Sequence, residues 1–161
     1  ISGGGNNSGT IGSRNAGYRF MIPTQDEWYK AAFYKGGGTS AGYWRNAMQS
    51  DSATPVVATS DASGNPVNPG PEVANHQNGV DWNGQDGHVS TVGGCGAAST
   101  YGTFDQSGNL WEWNETISFT TYRVIRGGCY DIAAYALLSS SGNFAEDSGN
   151  RLATLGLRIG R

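Results

Sequence analysis

Hydrophobic and polar residues follow a regular pattern at only a few places along this chain. Residues 18–22 alternate as in a short strand, which Pro23 ends. Thr24 and Glu27 then form a capping-box pattern, and apolar residues recur at helical spacing until Gly36. The pattern predicts a short strand followed by one helix of about ten residues.

Strand patterns return in the last third of the chain. Trp111 and Trp113 are spaced to face the same way, residues 123–125 lead into a Gly127-Gly128 turn, and residues 155–159 alternate as a terminal strand. Residues 42–100 and 129–154 are mostly irregular and rich in small polar residues. We expect both tryptophans in the core, and we expect Arg126 and Arg158 to bind loop carbonyls.

The amino-acid composition indicates an ordered but loop-rich protein, and with the predicted helix and strands it favours the α+β class. The 161 residues include 26 glycines, yet also five tryptophans and eight tyrosines, which bury enough surface to order an irregular backbone. We expect a single domain over residues 1–161. Cys95 and Cys129 either pair or remain buried thiols.

Charge and hydropathy exclude several classes of partner. The net charge is −3 and no lysine or arginine cluster is present, so we expect no nucleic-acid partner. No apolar run approaches the roughly 20 residues of a membrane span. No signal peptide is visible at the start of the sequence.

Two groups of oxygen-bearing residues predict calcium sites. In the segment 101–115, Asp105 and Glu112 supply carboxylates, and Gly108 lets the backbone bend so that carbonyls turn toward one point. A second set, in residues 74–88, could combine Asn75 and Asp86 side chains with the carbonyls of His76 and His88. The alternative for this second set is that its Asn and Asp residues only form turns.

Several blocks occur together in a recognisable order: MIPTQDEWYKAA, GYW, ANH with DGH, YGTFDQSGNLWEWNE, RVIRGG and LGLR. In this order the chain resembles the formylglycine-generating enzyme (sulfatase-modifying factor) family, and most closely its bacterial secreted members. The resemblance implies a glycine-rich variant of the C-type lectin fold and an extracellular or cell-surface location. It also implies two calcium sites, with the following ligands: Asp105, the Gly108 and Leu110 carbonyls and Glu112; and Asn75, the His76 carbonyl, Asp86 and the His88 carbonyl.

The same resemblance argues against the family's oxidase chemistry. Enzymes of the family hold copper with two cysteines shortly after the Gly-Gly turn, where thiolates suit Cu(I). The matching positions here are Ile132 and Leu137, so no copper is expected. Family domains also begin with strands and a helix that do not precede Ile1, and we therefore expect self-association through a strand edge left without its neighbour.

The sequence thus favours a non-catalytic, calcium-stabilised, lectin-like binding protein or surface scaffold, whose ligand is a protein or a carbohydrate. One alternative is the variable protein of a diversity-generating retroelement, in which mutation of adenines diversifies the C-terminal segment. A formylglycine-generating-type oxidase is the disfavoured alternative. We expect the ligand surface in residues 129–154, with these members: Tyr130, Asp131, Tyr135, Asn143 and Phe144.

Overall fold

A computed structural model describes residues 17–142 and 144–161 of the protein. In these ranges it contains one α-helix, one short 3-10 helix and six strands. In chain order they are α1 (Gln25–Phe33), β1 (Val56–Val57), β2 (Val73–Ala74), β3 (Trp111–Phe119), β4 (Tyr122–Arg126), the 3-10 helix Ala134–Leu137, β5 (Phe144–Asp147) and β6 (Leu155–Gly156). None of the helices in the described ranges is long and apolar enough to cross a membrane.

Helix α1 begins at the predicted capping box. The Thr24 hydroxyl accepts a hydrogen bond from the Glu27 backbone N–H at 3.3 Å, and the Glu27 carboxylate accepts one from the Thr24 N–H at 2.8 Å. Each bond satisfies a backbone donor that a free helix end would leave without a partner. The helix buries Trp28 and Phe33 against a small cluster of its own. The predicted helix is confirmed.

A four-stranded sheet in the order β5-β4-β3-β6 forms the second part of the fold. Strands β3 and β4 form an antiparallel hairpin, and β6 adds in parallel at the start of β3. Trp111 and Leu137 are buried members of the core cluster beside this sheet, and the partly buried Trp113 packs against that cluster. Both tryptophans therefore contribute to the core, as predicted. Strand β5 was not predicted, because it is four residues long and follows polar residues.

The loop-rich region between α1 and β3 has a separate and smaller core. Strands β1 and β2 form a two-residue parallel pair. Beneath it lies a cluster of small side chains: Ala58, Val73, Val80 and Cys95. Both cysteines are free thiols, and they lie in different clusters, Cys129 being packed near the sheet. Of the two alternatives for the cysteines, the structure therefore has the unpaired one.

The two predicted terminal strands are shorter than their patterns suggested. Residues 18–22 contribute only a bridge from Met21 to Gly160, with reciprocal backbone hydrogen bonds of 3.1 and 2.8 Å. The last regular strand is Leu155–Gly156, and Leu157 and Ile159 are exposed beyond it. Alternation alone overestimated both strands, since Phe20, Leu157 and Ile159 are each more than half exposed.

Candidate functional site

Glu112, at the start of β3, is the centre of a buried polar network. Its Oε2 accepts hydrogen bonds from the Trp28 indole N–H at 2.5 Å and from Arg158 Nε at 2.9 Å, while its Oε1 accepts one from Arg158 Nη2 at 2.7 Å. Arg158 also donates to the Phe104 carbonyl. One carboxylate therefore joins α1, β3 and the C-terminal segment, and Arg158 binds a loop carbonyl as predicted.

Burial dominates the electrostatics of this network. It raises the pKa of the Glu112 carboxyl, and the hydrogen bonds and charge of Arg158 oppose that rise. Burial also raises the pKa of Asp105, whose carboxylate accepts a hydrogen bond from the Gly93 N–H at 2.7 Å. The Asp105 charge adds to the rise in the pKa of Glu112, and the Arg158 guanidinium opposes the rise at both carboxylates.

Of the first predicted calcium set, Asp105 lies near enough to Glu112 for its charge to act on it, and both carboxylates and the Gly108 carbonyl accept hydrogen bonds from protein donors. Both oxygens of Glu112 face the Arg158 guanidinium, and the Gly108 carbonyl accepts a hydrogen bond from the Leu110 N–H at 3.0 Å. Gly108 has a φ of +93°, and a Cβ on it would lie 2.4 Å from the Asn75 carbonyl oxygen. A calcium ion at Asp105 and Glu112 would require Arg158 to move, and calcium there stays a prediction.

The second predicted set contains one buried oxygen without a protein donor. Asn75 is 1% exposed, its Nδ2 donates to the His88 carbonyl at 2.8 Å, and its Oδ1 has no hydrogen-bond partner. A buried oxygen without a donor is costly unless an ion or water binds it. The structure therefore brings Asn75 and the His88 carbonyl together. The His76 carbonyl accepts from the Gly79 N–H, and Asp86 lies exposed in a turn.

Ile132 and Leu137, at the positions where the resemblance implies copper-binding cysteines, both lie close to the Gly127-Gly128 turn. A Cβ on Gly128 would lie 2.6 Å from Leu137 Cδ1 and 3.2 Å from Ile132 Cγ2. Leu137 is 0% exposed, and Ile132 packs partly buried against the same core cluster. The two positions are therefore close in space, but they carry aliphatic side chains instead of cysteines.

Cys129, next to this pair, is a protonated thiol rather than a metal-ready thiolate. Its Sγ donates to Asp131 Oδ1 at 2.9 Å. Burial, together with that hydrogen bond and the Asp131 charge, raises the pKa of Cys129 from 9.0 to about 12. Burial likewise raises the pKa of Cys95. No group of three or more His, Cys, Asp or Glu side chains in the described ranges could hold a metal ion.

The predicted ligand surface is partly as expected. Tyr135 is 58% exposed, Asp131 is exposed and Tyr130 is half-buried. Phe144 is half-buried: its ring packs against Trp111 with centroids 4.7 Å apart and lies against the core cluster, and its place in the ligand surface stays a prediction. It supports Tyr135 from beneath, at 6.4 Å. Asn143 lies outside the described residues.

One exposed aromatic group was missed by the sequence reasoning. Trp82, 47% exposed, lies 4.8 Å from the His88 ring, and that ring stacks on Tyr130 at 6.4 Å. The sequence does contain a signal for it: Trp82 directly precedes Asn83-Gly84, a dipeptide that strongly favours a tight hairpin turn at the surface. We refer to Trp82, His88 and Tyr130 as the aromatic row.

Comparisons with known proteins agree with the family and fold expected from the sequence. Residues 6–161 match the model of the sulfatase-modifying factor enzyme 1-like domain. A search among curated proteins gave no match. Among solved structures, Treponema denticola variable protein 1 superposes with a TM-score of 0.54 and 19% identity, over 87% of this chain and 46% of that chain.

Two other solved structures are similar. PvdO from Pseudomonas aeruginosa gives a TM-score of 0.53 at 16% identity, over 88% of this chain and 52% of that one. CarF gives 0.50 at 20% identity, over 87% and 46%. The chain thus spans about half the length of each of these proteins. The similarity shows a shared fold, the predicted glycine-rich, C-type-lectin-like α+β architecture.

Proposed function

The chain belongs to the sulfatase-modifying factor enzyme 1-like family, and we propose that this member is a binding scaffold rather than an oxidase. The observation that carries the proposal is the contact of Ile132 and Leu137 over Gly128. Cu(I) is bound by soft thiolate or thioether ligands. The place where the resemblance puts two such ligands is filled by aliphatic side chains that belong to the core.

The two cysteines of the chain do not replace that pair. Cys129 is buried and hydrogen-bonded to a carboxylate, and its pKa of about 12 leaves it protonated at neutral pH. Cys95 is buried in the separate cluster beneath β1 and β2. A protein of this family that keeps the fold but lacks the copper ligands still presents the surface of the fold. We propose that this surface binds a ligand.

The segment 129–154 suits a binding role because its backbone is fixed by other parts of the fold. The Asn78 N–H donates to the Tyr130 carbonyl at 2.7 Å, the Gln77 N–H donates to the Ile132 carbonyl at 3.0 Å, and the Ser139 N–H donates to the Arg45 carbonyl at 2.8 Å. These bonds hold the segment through its main chain. Side chains such as Tyr135 are therefore free to change or to bind without loss of the backbone conformation.

This backbone anchoring also supports the second candidate, a variable protein of a diversity-generating retroelement. Such a protein must accept many side chains in one segment while its fold stays constant. The described contacts of residues 130–139 meet that demand, and a protein whose name marks it as variable, from Treponema denticola, has the same fold. A reverse-transcriptase gene next to a near-copy of the 3′ end would separate this candidate from an invariant binding protein.

We further propose that calcium stabilises the loop-rich region. The support is the buried Asn75 Oδ1, which has no protein donor, on a side chain whose Nδ2 donates to the His88 carbonyl. Calcium prefers such oxygen ligands. The ion would be held chiefly by Asn75 and neighbouring carbonyls, and it would act on stability rather than on chemistry.

A direct test of the main proposal is an oxidase assay. The protein is incubated with copper, oxygen and a sulfatase-type peptide that contains a cysteine, and the peptide mass is followed. We expect no conversion of cysteine to formylglycine above a no-protein control. Conversion that depends on the protein, and that is lost in Cys129→Ser, would contradict the scaffold proposal.

The binding surface is tested separately with two single variants. Tyr135→Ala removes an exposed ring, whereas Phe144→Ala removes a ring that packs on Trp111. We expect Tyr135→Ala to weaken binding of a captured partner at unchanged melting temperature, and Phe144→Ala to lower the melting temperature. The opposite pattern would move the binding surface away from residues 129–154.

A further inference from the structure

An open cleft lies beside the aromatic row. Its volume is about 260 Å³, and its lining combines Trp82 and His88 with hydroxyl-bearing side chains: Ser63, Ser90 and Thr91. Ligand sites commonly join an aromatic surface to a few polar groups that fix orientation. The volume lies below the roughly 300–1,000 Å³ of drug-sized pockets, so the cleft suits one small ring.

Trp82 is exposed, but its backbone is held rigidly. It opens a two-residue turn in which the Trp82 N–H donates to the Gln85 carbonyl at 3.1 Å and the Gln85 N–H donates to the Trp82 carbonyl at 3.0 Å. The central residues Asn83 and Gly84 both have positive φ, as a type I′ turn requires. The indole is therefore presented in a fixed position, which lowers the entropy lost when a ligand binds.

The spacing of the aromatic row argues against a cage. The Trp82 and His88 ring centroids are 4.8 Å apart with 51° between the ring planes, and the His88 and Tyr130 rings are nearly parallel, with centroids 6.4 Å apart and 13° between their planes. A ligand ring does not fit between rings at these distances, so a ligand must lie against the outer face of the row. Because the indole is inclined to the other two rings, Trp82 is the surface on which a ligand can stack.

The charges around the cleft argue against an anionic ligand. Between Arg45 and Arg123 the chain contains no lysine or arginine, whereas the loops that form the cleft carry Asp61, Asp81 and Asp86. None of the residues that line the cleft is a lysine or an arginine, so a phosphate, a sulfate or a uronic acid has no lining cation to bind it. A neutral ligand with hydroxyl groups meets no such opposition.

We propose that this cleft binds a neutral saccharide, stacked on Trp82 and hydrogen-bonded at the hydroxyl-lined side. The C–H edges of a pyranose ring are weakly positive and suit the negative face of an indole. The ring hydroxyls can exchange hydrogen bonds with the side chains of Ser63, Thr91 and His88, whose Nδ1 contacts its neighbouring Val89 carbonyl at 3.3 Å. The inference rests on the proposed binding function and adds a ligand class and a place for it.

Quenching of tryptophan fluorescence tests the proposal on the unmodified protein. Trp82 is the most exposed of the five tryptophans, so acrylamide quenching reports mainly on its ring. Laminarin, mannan, xyloglucan and galactan are each added as neutral probes, and heparin and choline as charged ones. We expect at least one neutral polysaccharide to reduce quenching while heparin does not. Protection by choline alone, or by none of the probes, would overturn the proposal.

Affinity gel electrophoresis in the protective polysaccharide then assigns the site. We expect Trp82→Ala to lower the affinity about tenfold or more, and Trp82→Phe to lower it less. Phe119→Ala serves as the matched control, since it removes another exposed ring, at the end of β3, that does not line the cleft. Unchanged retardation of Trp82→Ala would overturn the proposal. Protein-dependent formation of formylglycine would instead contradict the scaffold function, so the two failures can be told apart.

Discussion

The sheet region and the loop-rich region of this protein are stabilised in different ways. Around the sheet, a few large side chains carry much of the packing, and a single carboxylate, Glu112, ties three separate segments together. Between α1 and β3, the core consists of small side chains, and polar side chains fix the backbone. Asn68, for example, accepts from the Thr59 N–H at 2.7 Å and donates to the Val57 carbonyl at 3.0 Å.

The difference indicates that stability is distributed differently in the two regions. In the sheet region, it depends on a small number of residues that contact one another, so that a change in one affects the others. In the loop-rich region it is spread over many weak contacts, so that individual positions such as Trp82 can remain exposed and serve binding. The comparison predicts large effects of single substitutions near the sheet and small ones in the loops.

The largest effect is expected for Glu112→Ala. It would leave the Arg158 guanidinium and the Trp28 indole without their buried acceptor, and we expect a loss of about 3–5 kcal/mol in the free energy of unfolding. Urea unfolding measures it. In Glu112→Gln, which keeps an acceptor oxygen, the loss should be smaller. A cost below about 1 kcal/mol for the alanine variant would show that the network is not central.

Removal of buried aliphatic volume should distinguish the two cores. Leu137 and Val80 are both 0% exposed, the first beside the sheet and the second in the loop-rich region. We expect Leu137→Ala to cost roughly 2–5 kcal/mol and Val80→Ala about 1–2 kcal/mol, because fewer methyl groups and a smaller cavity are involved. Equal costs in urea unfolding would contradict the predicted difference between the two cores.

Chelation should affect the loop-rich region more than the sheet. With EDTA in excess we expect the melting temperature to fall by several degrees, since an ion bound only by the folded state stabilises it. Asn75→Ala should abolish that difference, and Asp105→Ala serves as the comparison at the other predicted site. If Asp105→Ala alone abolished it, the ion would lie at the first site and Arg158 would have to move. An identical melting curve in EDTA, without metal by elemental analysis, would contradict calcium binding.

The smallest effect is expected for Asn68→Ala. It removes two hydrogen bonds to loop backbone at a half-buried position, for an expected cost of about 1–2 kcal/mol in urea unfolding. Asn150→Ala, whose amide contacts Glu146 at an exposed site beside β5, is the control and should be nearly neutral. If Asn68→Ala lowered the free energy of unfolding by more than Leu137→Ala does, the loop-rich region would depend on single residues more than the sheet region, contrary to this account.

Local signals in the sequence predicted the elements whose causes are local. The capping box at Thr24 and the alternation around Trp111 need only neighbouring residues, and both were readable. The ion pair between Glu112 and Arg158 could not be predicted in this way, because the two residues are 46 positions apart along the chain and no local pattern indicates their contact. The same limit applies to the contact of the half-buried Phe144 with Trp111, which exists only after β5 joins β4.

The central claim is that the family's copper position has become part of the core, and Cu(I) affinity tests it most directly. Competition with bathocuproine disulfonate at pH 7 is measured for the unmodified protein and for the double variant Ile132→Cys, Leu137→Cys. We expect the unmodified protein to retain no Cu(I), because Cys129 is a single buried thiol bonded to Asp131 Oδ1, and Cys95 lies in a different cluster. The double variant should retain Cu(I), since both side chains meet over Gly128. Tight retention by the unmodified protein, lost in Cys129→Ser, would contradict the account.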